Sequence, residues 1–569
     1  MHMRAISLNR NFEIAAAGVV IGLAVAFNAT VAAAQQLPSS LDPSRLEQRF
    51  EQPAVPQSKP AIKLPAPEQA PPPEKAGAIR FTLASLIIDG GTIFPSEEIV
   101  AFYHALLGQE ISLLDLYKLR DAISVKYRNA GYVLSQAVIP AQEIDGGIVH
   151  MAIVEGHLNK VIFQGEVTDR FGILEDYAQK LTASRPLLAS VLERYVMLMD
   201  DLPGLTARTV IKPAEGDAVG SNLEVVLERK PIGATLSLDN RGTKSVGPYQ
   251  IDHGFTFNDI LGQFEQTSIR GILTPQIDEL RYVDLSHTEQ LGLDGATIEV
   301  GARRNWSEPG FNIRPLSIKS QSSTLRGGVA YPLIRSRSET LRLTFDGTYR
   351  NSRTNAQGQK LSDDRIRYLS AGVSYDIADS WQGSNLFQFS LNRGFDLFNA
   401  TDGDKPGQSR VGARPNYTKL TFSAQRLQPL PERFSVLVAT EGQFSPNLLV
   451  SGEQFGVGGK LYGRAFDSSE ITGDKGASAK IELQYTPEIE LPYIQYLQLF
   501  SYTDYGRAWN YASGGLPSGQ SLATVGFGVR YGITESLNGG IEFGKPFMRN
   551  ATATGNRDPR VFFSLSARY

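Results

Sequence analysis

Side chains able to do covalent or metal chemistry are few and scattered in this chain. Its 569 residues include no cysteine and six histidines, His2, His104, His150, His157, His253 and His287, none standing with carboxylates at metal-ligand spacing. There is no His-Glu-x-x-His, no Walker-type phosphate loop and no Gly-x-Ser-x-Gly elbow. Proteases, nucleotide hydrolases and serine esterases keep their reactive groups in such motifs, so the expectation is a protein that is not an enzyme and uses no cofactor or metal. Ordinary surface or satisfied core positions account for the histidines. Lack of cysteine excludes disulfides and thiolate metal sites and is compatible with an oxidising periplasm. A formal net charge of −3 gives no reason to expect nucleic acid as a partner. The chemistry that remains is electrostatic, and it depends on the elements that place arginines opposite carboxylates.

Those elements are mostly strands. The last ten residues, Arg560 to Tyr569, put Val561, Phe563, Leu565, Ala567 and Tyr569 on one face and Phe562, Ser564, Ser566 and Arg568 on the other. Taken alone, this is either a strand between lipid and water or an edge strand of a soluble sheet. From Ile232 onward the same period-two alternation recurs: Leu341, Leu343, Phe345, Gly347 and Tyr349 oppose Arg342, Thr344, Asp346 and Thr348, and Phe387, Phe389 and Leu391 oppose Gln388, Ser390 and Asn392. There are roughly sixteen such segments, an even number, as single-chain bacterial barrels have. Ten residues at ~3.3 Å each and a tilt near 40° cross ~25 Å, the height of an outer-membrane apolar band. The fold class expected for residues 231–569 is therefore a transmembrane β-barrel of about 16 antiparallel strands, closed by the terminal aromatic Tyr569. A soluble solenoid or sandwich would not expose an apolar face on every strand.

The amino-terminal part reads differently. Residues 1–34 carry Arg4 and Arg10, an apolar run from Ile14 to Phe27 and Ala32-Ala33-Ala34, the three regions of a cleaved signal peptide. Residues 35–78 hold ten prolines and read as an extended linker. Inside it, Asp42 to Glu51 suits either a short amphipathic helix, with Asp42 as N-cap, Pro43 at the first helical position and Leu46 four residues before Phe50, or a disordered polar stretch. Two modules of strand, two helices and two strands follow, at 79–156 and 157–230. The first has a strand from Phe81 to Ile88, a helix after Pro95, a helix from Ser112 to Asn129 capped at Gly131, and strands Val133 to Ile139 and Ile148 to Val154.

Several stretches resemble the outer-membrane transporters of two-partner secretion, the haemolysin-activator and filamentous-haemagglutinin exporter type. The start Gln36-Leu-Pro-Ser-Ser-Leu-Asp-Pro, Val138 to Gly147 with Val154-Glu-Gly156, and Asp239-Asn-Arg-Gly242 with Gly247-Pro-Tyr-Gln250 are similar to family segments. The most specific is Gly458-Gly-Lys-Leu-Tyr-Gly-Arg-Ala-Phe466 with Gly473-Asp-Lys-Gly476, similar to a loop that folds back into the barrel lumen. Its core here is Gly463, Arg464, Ala465 and Phe466; alanine replaces the usual glycine, which questions the tightness of the tip because alanine tolerates positive φ poorly. The loop falls between the eleventh and twelfth strands, and the next strand carries Tyr502-Thr-Asp504-Tyr-Gly506, similar to the strand whose acid meets the loop arginine.

The resemblance thus implies an Arg464–Asp504 pair in the lumen. An arginine facing lipid at mid-depth costs roughly 2–4 kcal/mol, whereas in a polar lumen it can meet a carboxylate through paired hydrogen bonds. Without the family pattern, two unrelated surface charges in loops would be the better reading. Asp504 shares its strand face with Tyr502, Phe500 and Gln498, so that face is not cleanly polar. The resemblance further implies that residues 42–51 plug the pore and that the two modules are POTRA domains, which receive an unfolded client on exposed strand edges or in the groove beside a helix. The expected function is export of a partner exoprotein with an amino-terminal secretion domain to the surface of a Gram-negative cell. Outer-membrane lipid and, during biogenesis, the barrel assembly machinery are the other expected partners. The alternatives are an assembly factor of the same superfamily or a passive porin.

Overall fold

The computed structural model describes residues 39–51, 54–59, 71–165, 167–217, 219–292, 294–401, 407–489, 491–511 and 518–569; the expected signal peptide lies outside them. Two small α/β modules precede a closed barrel.

In the first module Ile148–Val154 is the middle strand, parallel to Ser85–Gly90 and antiparallel to Gln136–Val138. The helix Leu113–Asn129 begins in a reciprocal cap: Ser112 Oγ accepts from the Asp115 N–H, and the Asp115 carboxylate accepts from the Ser112 N–H. It ends where Gly131 turns at φ +92°, a conformation that favours glycine. Leu116, Leu119, Ile123 and Tyr127, spaced three or four apart, are buried against Val149 and Met151 of the sheet. Each is worth about 1.5–3 kcal/mol by transfer from water.

Two strand expectations are corrected. The strand placed at Phe81 to Ile88 is two, Arg80–Thr82 and Ser85–Gly90. The chain changes partners between them, the Leu83 N–H donating to Gln109 and the Ala84 N–H to Gly147. The strand placed at Val133 to Ile139 shortens to Gln136–Val138, because Tyr132 to Ser135 closes a turn through the Ser135 N–H and the Tyr132 carbonyl.

The Val154-Glu-Gly156 segment is explained by packing. Glu155 accepts from the Thr92 N–H and hydroxyl at 2.7 Å, the Ile93 N–H at 3.1 Å and the Tyr127 hydroxyl at 2.9 Å. Burial opposes its ionisation, but these hydrogen bonds outweigh it and hold its carboxyl below the usual range. At Gly156 a Cβ would lie 2.4 Å from the Leu134 carbonyl oxygen, so only glycine fits.

The second module has strands His157–Gln164, Gly220–Arg229 and Leu205–Pro213, with Gly220–Arg229 central, and helices Ile173–Ala183 and Ala189–Asp200. Its second helix docks on turns of the barrel. Tyr195 donates to Asp294 at 2.9 Å, and Arg335 pairs with Asp201 at 2.6 Å.

The barrel contains sixteen antiparallel strands, from Ile232–Asp239 to Arg560–Arg568. The last strand pairs with the first from Ser564↔Asp239 to Arg568↔Thr235. Tyr569 finishes the seam, its N–H donating to Ala234 and its carbonyl accepting from Ala234, while its ring stays exposed. Phe345, Phe389, Phe527 and Leu565 project outward and exposed, as alternation requires of a lipid face. Phe562, on the other face, is buried in the interior, where Arg241 covers its ring at 3.9 Å. A barrel of this strand number encloses a channel unless something fills it.

Part of the filling is the helix Pro43–Arg49. Asp42 caps it, accepting from the Ser44 N–H at 2.9 Å, and Leu41, Leu46 and Phe50 pack on Ile272, Tyr282 and Ile318. It leans on the fifth to seventh strands, Thr297–Ser307, Lys319–Arg335 and Glu339–Ala356. Asn305 donates to the Pro43 carbonyl at 3.0 Å, and Thr324 donates to Glu47 at 2.7 Å.

Candidate luminal site

A second part of the filling is the loop between the eleventh strand, Phe434–Phe444, and the twelfth, Lys475–Tyr485. It begins at the barrel end away from the modules and turns inward on a stalk that pairs Phe455–Val457 with Ile471–Gly473. The backbone reversals fall on Gly458, Gly459 and Gly463, at φ +121°, +104° and +70°. Ala465 is not among the residues with positive φ, so alanine there does not strain the tip. It is fully buried against Gly544, where an added Cβ would lie 3.2 Å from the Ala465 Cβ. Phe466, also buried, anchors the tip among Tyr462, Ile471, Ala508 and Leu522.

This anchor aims Arg464 at the wall. Its Nε and Nη2 donate to the two carboxylate oxygens of Asp504, each at 3.1 Å, and its backbone N–H donates to Oδ2 at 3.1 Å. Nη1 donates to Glu482 at 2.6 Å. The guanidinium also lies 3.4 Å from the centroid of the Tyr502 ring. Sequence placed Asp504 on the strand next after the loop; it is on the thirteenth, Tyr496–Trp509, one strand further. The twelfth, which intervenes, carries Gly476, Ala477, Ser478 and Ala479, too small to give a clear apolar alternation. Aromatics on the Asp504 face are part of the site, since Tyr502 supports Arg464 and Phe500 lies under Arg530 at 3.9 Å.

Sequence reasoning missed the rest of the network. Glu482 also accepts from Arg530 at 2.8 Å. Glu542 accepts from Tyr502 and from Arg241, both at 2.6 Å, while Arg241 donates to the Arg464 carbonyl at 3.0 Å. Arg560 donates to the Ala465 carbonyl at 3.1 Å and pairs with Asp467 at 2.8 Å. Arg241 lies in the Asp239-Asn-Arg-Gly242 segment singled out in the sequence. Glu482 was readable as the polar residue between Ile481 and Leu483, though not its partner.

The loop base grips the luminal helix. Arg45 donates to the carbonyls of Ser451 at 2.6 Å and Gln454 at 3.1 Å, and Gln48 donates to that of Gly452 at 2.7 Å. Ser39 donates to the Ser469 carbonyl at 2.5 Å. Glu453, beside these contacts, is paired with Arg350 and Lys419 of the wall. Helix, loop and wall are therefore one hydrogen-bonded assembly. Among the described residues no group of three or more His, Asp or Glu could hold a metal ion. What the arrangement can do is hold the pore shut and let go, since its bonds are non-covalent and each of its acids, Asp504, Glu482, Glu542 and Glu453, meets a cation or hydroxyl of a neighbouring element.

The family model described as haemolysin secretion/activation protein ShlB/FhaC/HecB matches residues 220–531, and that of the ShlB-type POTRA domain matches residues 81–156. The heme/hemopexin transporter protein HuxB of Haemophilus influenzae is 23% identical over 484 residues, covering 82% of this chain and 83% of its own. The outer membrane transporter CdiB of Escherichia coli O6:K15:H31 is 23% identical over 459 residues, covering 79% and 76%. The solved structure of CdiB from Escherichia coli superposes with a TM-score of 0.70 at 21% identity, over 90% of this chain and 94% of that one. BamA from Haemophilus ducreyi lacking POTRA domains 1-3 gives 0.51 at 13% identity, over 86% of this chain and all of that one.

Proposed function

The chain belongs to the haemolysin secretion/activation protein family, and from that premise we propose how its lumen, helix and modules act together in export. It is a two-partner secretion transporter of the Gram-negative outer membrane, with its POTRA region in the periplasm and a secreted exoprotein as partner. In our reading the modules bind the exoprotein unfolded, by its amino-terminal secretion domain. Unpaired edges such as Leu205–Pro213, whose Val210 is exposed, offer backbone groups to an added strand. The client then enters the lumen while helix Pro43–Arg49 and the Arg464 loop give way.

The observation that carries this reading is that the pore is filled by pieces of the chain held through hydrogen bonds and ion pairs, with the modules at one mouth. The chain performs no covalent step on this reading, and net movement outward comes from the client folding outside. A folded stretch stable by ~5–15 kcal/mol does not retract readily. Lipid around the apolar band and the barrel assembly machinery during insertion complete the partners. The test is secretion by cells expressing this chain with its partner exoprotein: deletion of residues 79–230 should leave an inserted barrel that secretes nothing. Normal secretion without the modules would take client capture away from them, absence of secretion by the intact chain would point to the porin alternative, and loss of other barrels from the membrane would point to the assembly-factor alternative.

A further inference from the structure

The segment that leaves the luminal helix is held differently from the helix itself. Residues 54–59 run along the inner wall of the eighth, ninth and tenth strands, Gln359–Ala378, Ser384–Gly394 and Thr418–Pro429, toward the periplasmic mouth. Asp376 accepts the Gln57 N–H at 2.7 Å on one carboxylate oxygen and the Ser58 N–H at 3.2 Å on the other. The Ser384 hydroxyl donates to the Ser58 carbonyl at 2.7 Å, and the Gln425 amide donates to the Ala54 carbonyl at 3.0 Å. Lys59 donates its N–H to the Arg337 carbonyl at 3.0 Å. Each hydrogen bond described for this segment goes through its backbone. The register sets the wall groups side by side, Asp376 opposite Leu386 and Leu386 opposite Gln425.

We propose that Asp376, Ser384, Gln425 and the Arg337 carbonyl form a binding track for an extended segment of the exported polypeptide, which residues 54–59 occupy at rest as a built-in competitor. The inference rests on the export reading and adds where in the lumen the client first binds. Groups that take N–H and C=O without touching a side chain accept any extended sequence, which a transporter of a long, varied chain requires. The track also lies where a client must arrive. The N–H of Arg337 donates to Glu193 of the second module at 2.9 Å, so one turn of the barrel touches both the resting segment and the module that would deliver its replacement. Because residues 54–59 are tethered to the luminal helix, their effective concentration is high, and a client displaces them by bringing further contacts along its length. The displaced segment then no longer holds the end of the helix against the wall. Few, backbone-only bonds also suit passage, since a conducting site must release what it binds.

The experiment places the photoreactive residue benzoylphenylalanine at position 425 of the full chain in cells, and separately at Ser390 as a second luminal position. The probe is an amino-terminal fragment of the exported exoprotein fused to a disulfide-closed domain that jams in the pore. Without it, the residue at 425 should crosslink to residues 54–59, and Asp376→Ala should lower that product severalfold. With the jammed fragment the self-product should fall at least fivefold as a client product replaces it. If position 390 captures the jammed fragment while 425 keeps its self-product, the track is wrong and export stands. If neither position captures it, export through this lumen fails, and the track with it. An unchanged self-product in Asp376→Ala also counts against the track.

Discussion

Arg464 is held by two acids, so removing the cation and removing one acid have different consequences. Arg464→Ala leaves Asp504 buried with its main partner gone, a change that costs about 3–5 kcal/mol in a well-packed site. The barrel should still insert, because its sixteen-strand ladder is intact, but secretion should fall at least tenfold and the loop should become accessible to protease from outside. Arg464→Ala with Asp504→Ala removes the cation and one of its two buried acids, leaving Glu482 paired with Arg530; it should regain most of the heat resistance on gels and none of the secretion. Normal secretion by either variant would remove the loop from the mechanism. At this scale the sequence showed half of the site. Arg464 and Asp504 stood out through the resemblance of their loop and strand to family segments, whereas Glu482, Glu542 and Arg560 looked like any polar residue alternating with apolar ones. Only the register of neighbouring strands brings them to one spot, and register is a long-range property.

At the scale of elements, the first module shows how local rules set a helix. Ser112→Ala removes the acceptor that caps the helix Leu113–Asn129 and should destabilise it by about 1 kcal/mol. Hydrogen exchange in residues 113–129 of the full chain would read that loss. Glu155 adds a pH dependence of known sign. Its carboxyl is held below its ordinary 4.5 in the folded module, so its contribution is present above pH 4.5 and disappears as the pH falls through the lowered value. Glu155→Gln should flatten the acid dependence of exchange around Thr92 and Tyr127; an unchanged profile would assign acid lability to another group. The helix Leu113–Asn129 was legible to within a residue, because its cap, its apolar spacing and Gly131 all agree. Short strands such as Gln136–Val138 were not, since a three-residue strand has too few positions to show a period. The luminal helix was legible as a candidate through Asp42, Pro43, Leu46 and Phe50, but its packing on the barrel wall depends on residues more than two hundred positions away.

At the scale of the whole molecule, the barrel was the most legible part, because lipid imposes the same alternation on every strand and the terminal strand must find the first. What the alternation could not show was the content of the lumen, which is set by contacts among loop, helix and wall. On the export reading this content moves aside for a client. The helix offers a direct test, because the chain has no cysteine of its own and Gly452 faces Ser44: a Cβ there would lie 2.6 Å from that of Ser44, so the loop base must draw back by about 1 Å to reach the ~3.8 Å of a relaxed disulfide. A chain carrying Ser44→Cys and Gly452→Cys can therefore form only one disulfide, stapling the luminal helix to the base of the loop. The measurement is exoprotein secretion by this variant under oxidising conditions and after reductant, beside each single-cysteine chain. The account predicts at least a tenfold block when oxidised, with recovery on reduction, while both single variants secrete. Full secretion through the stapled chain would contradict it, because the client would then be crossing the membrane without passing the filled lumen.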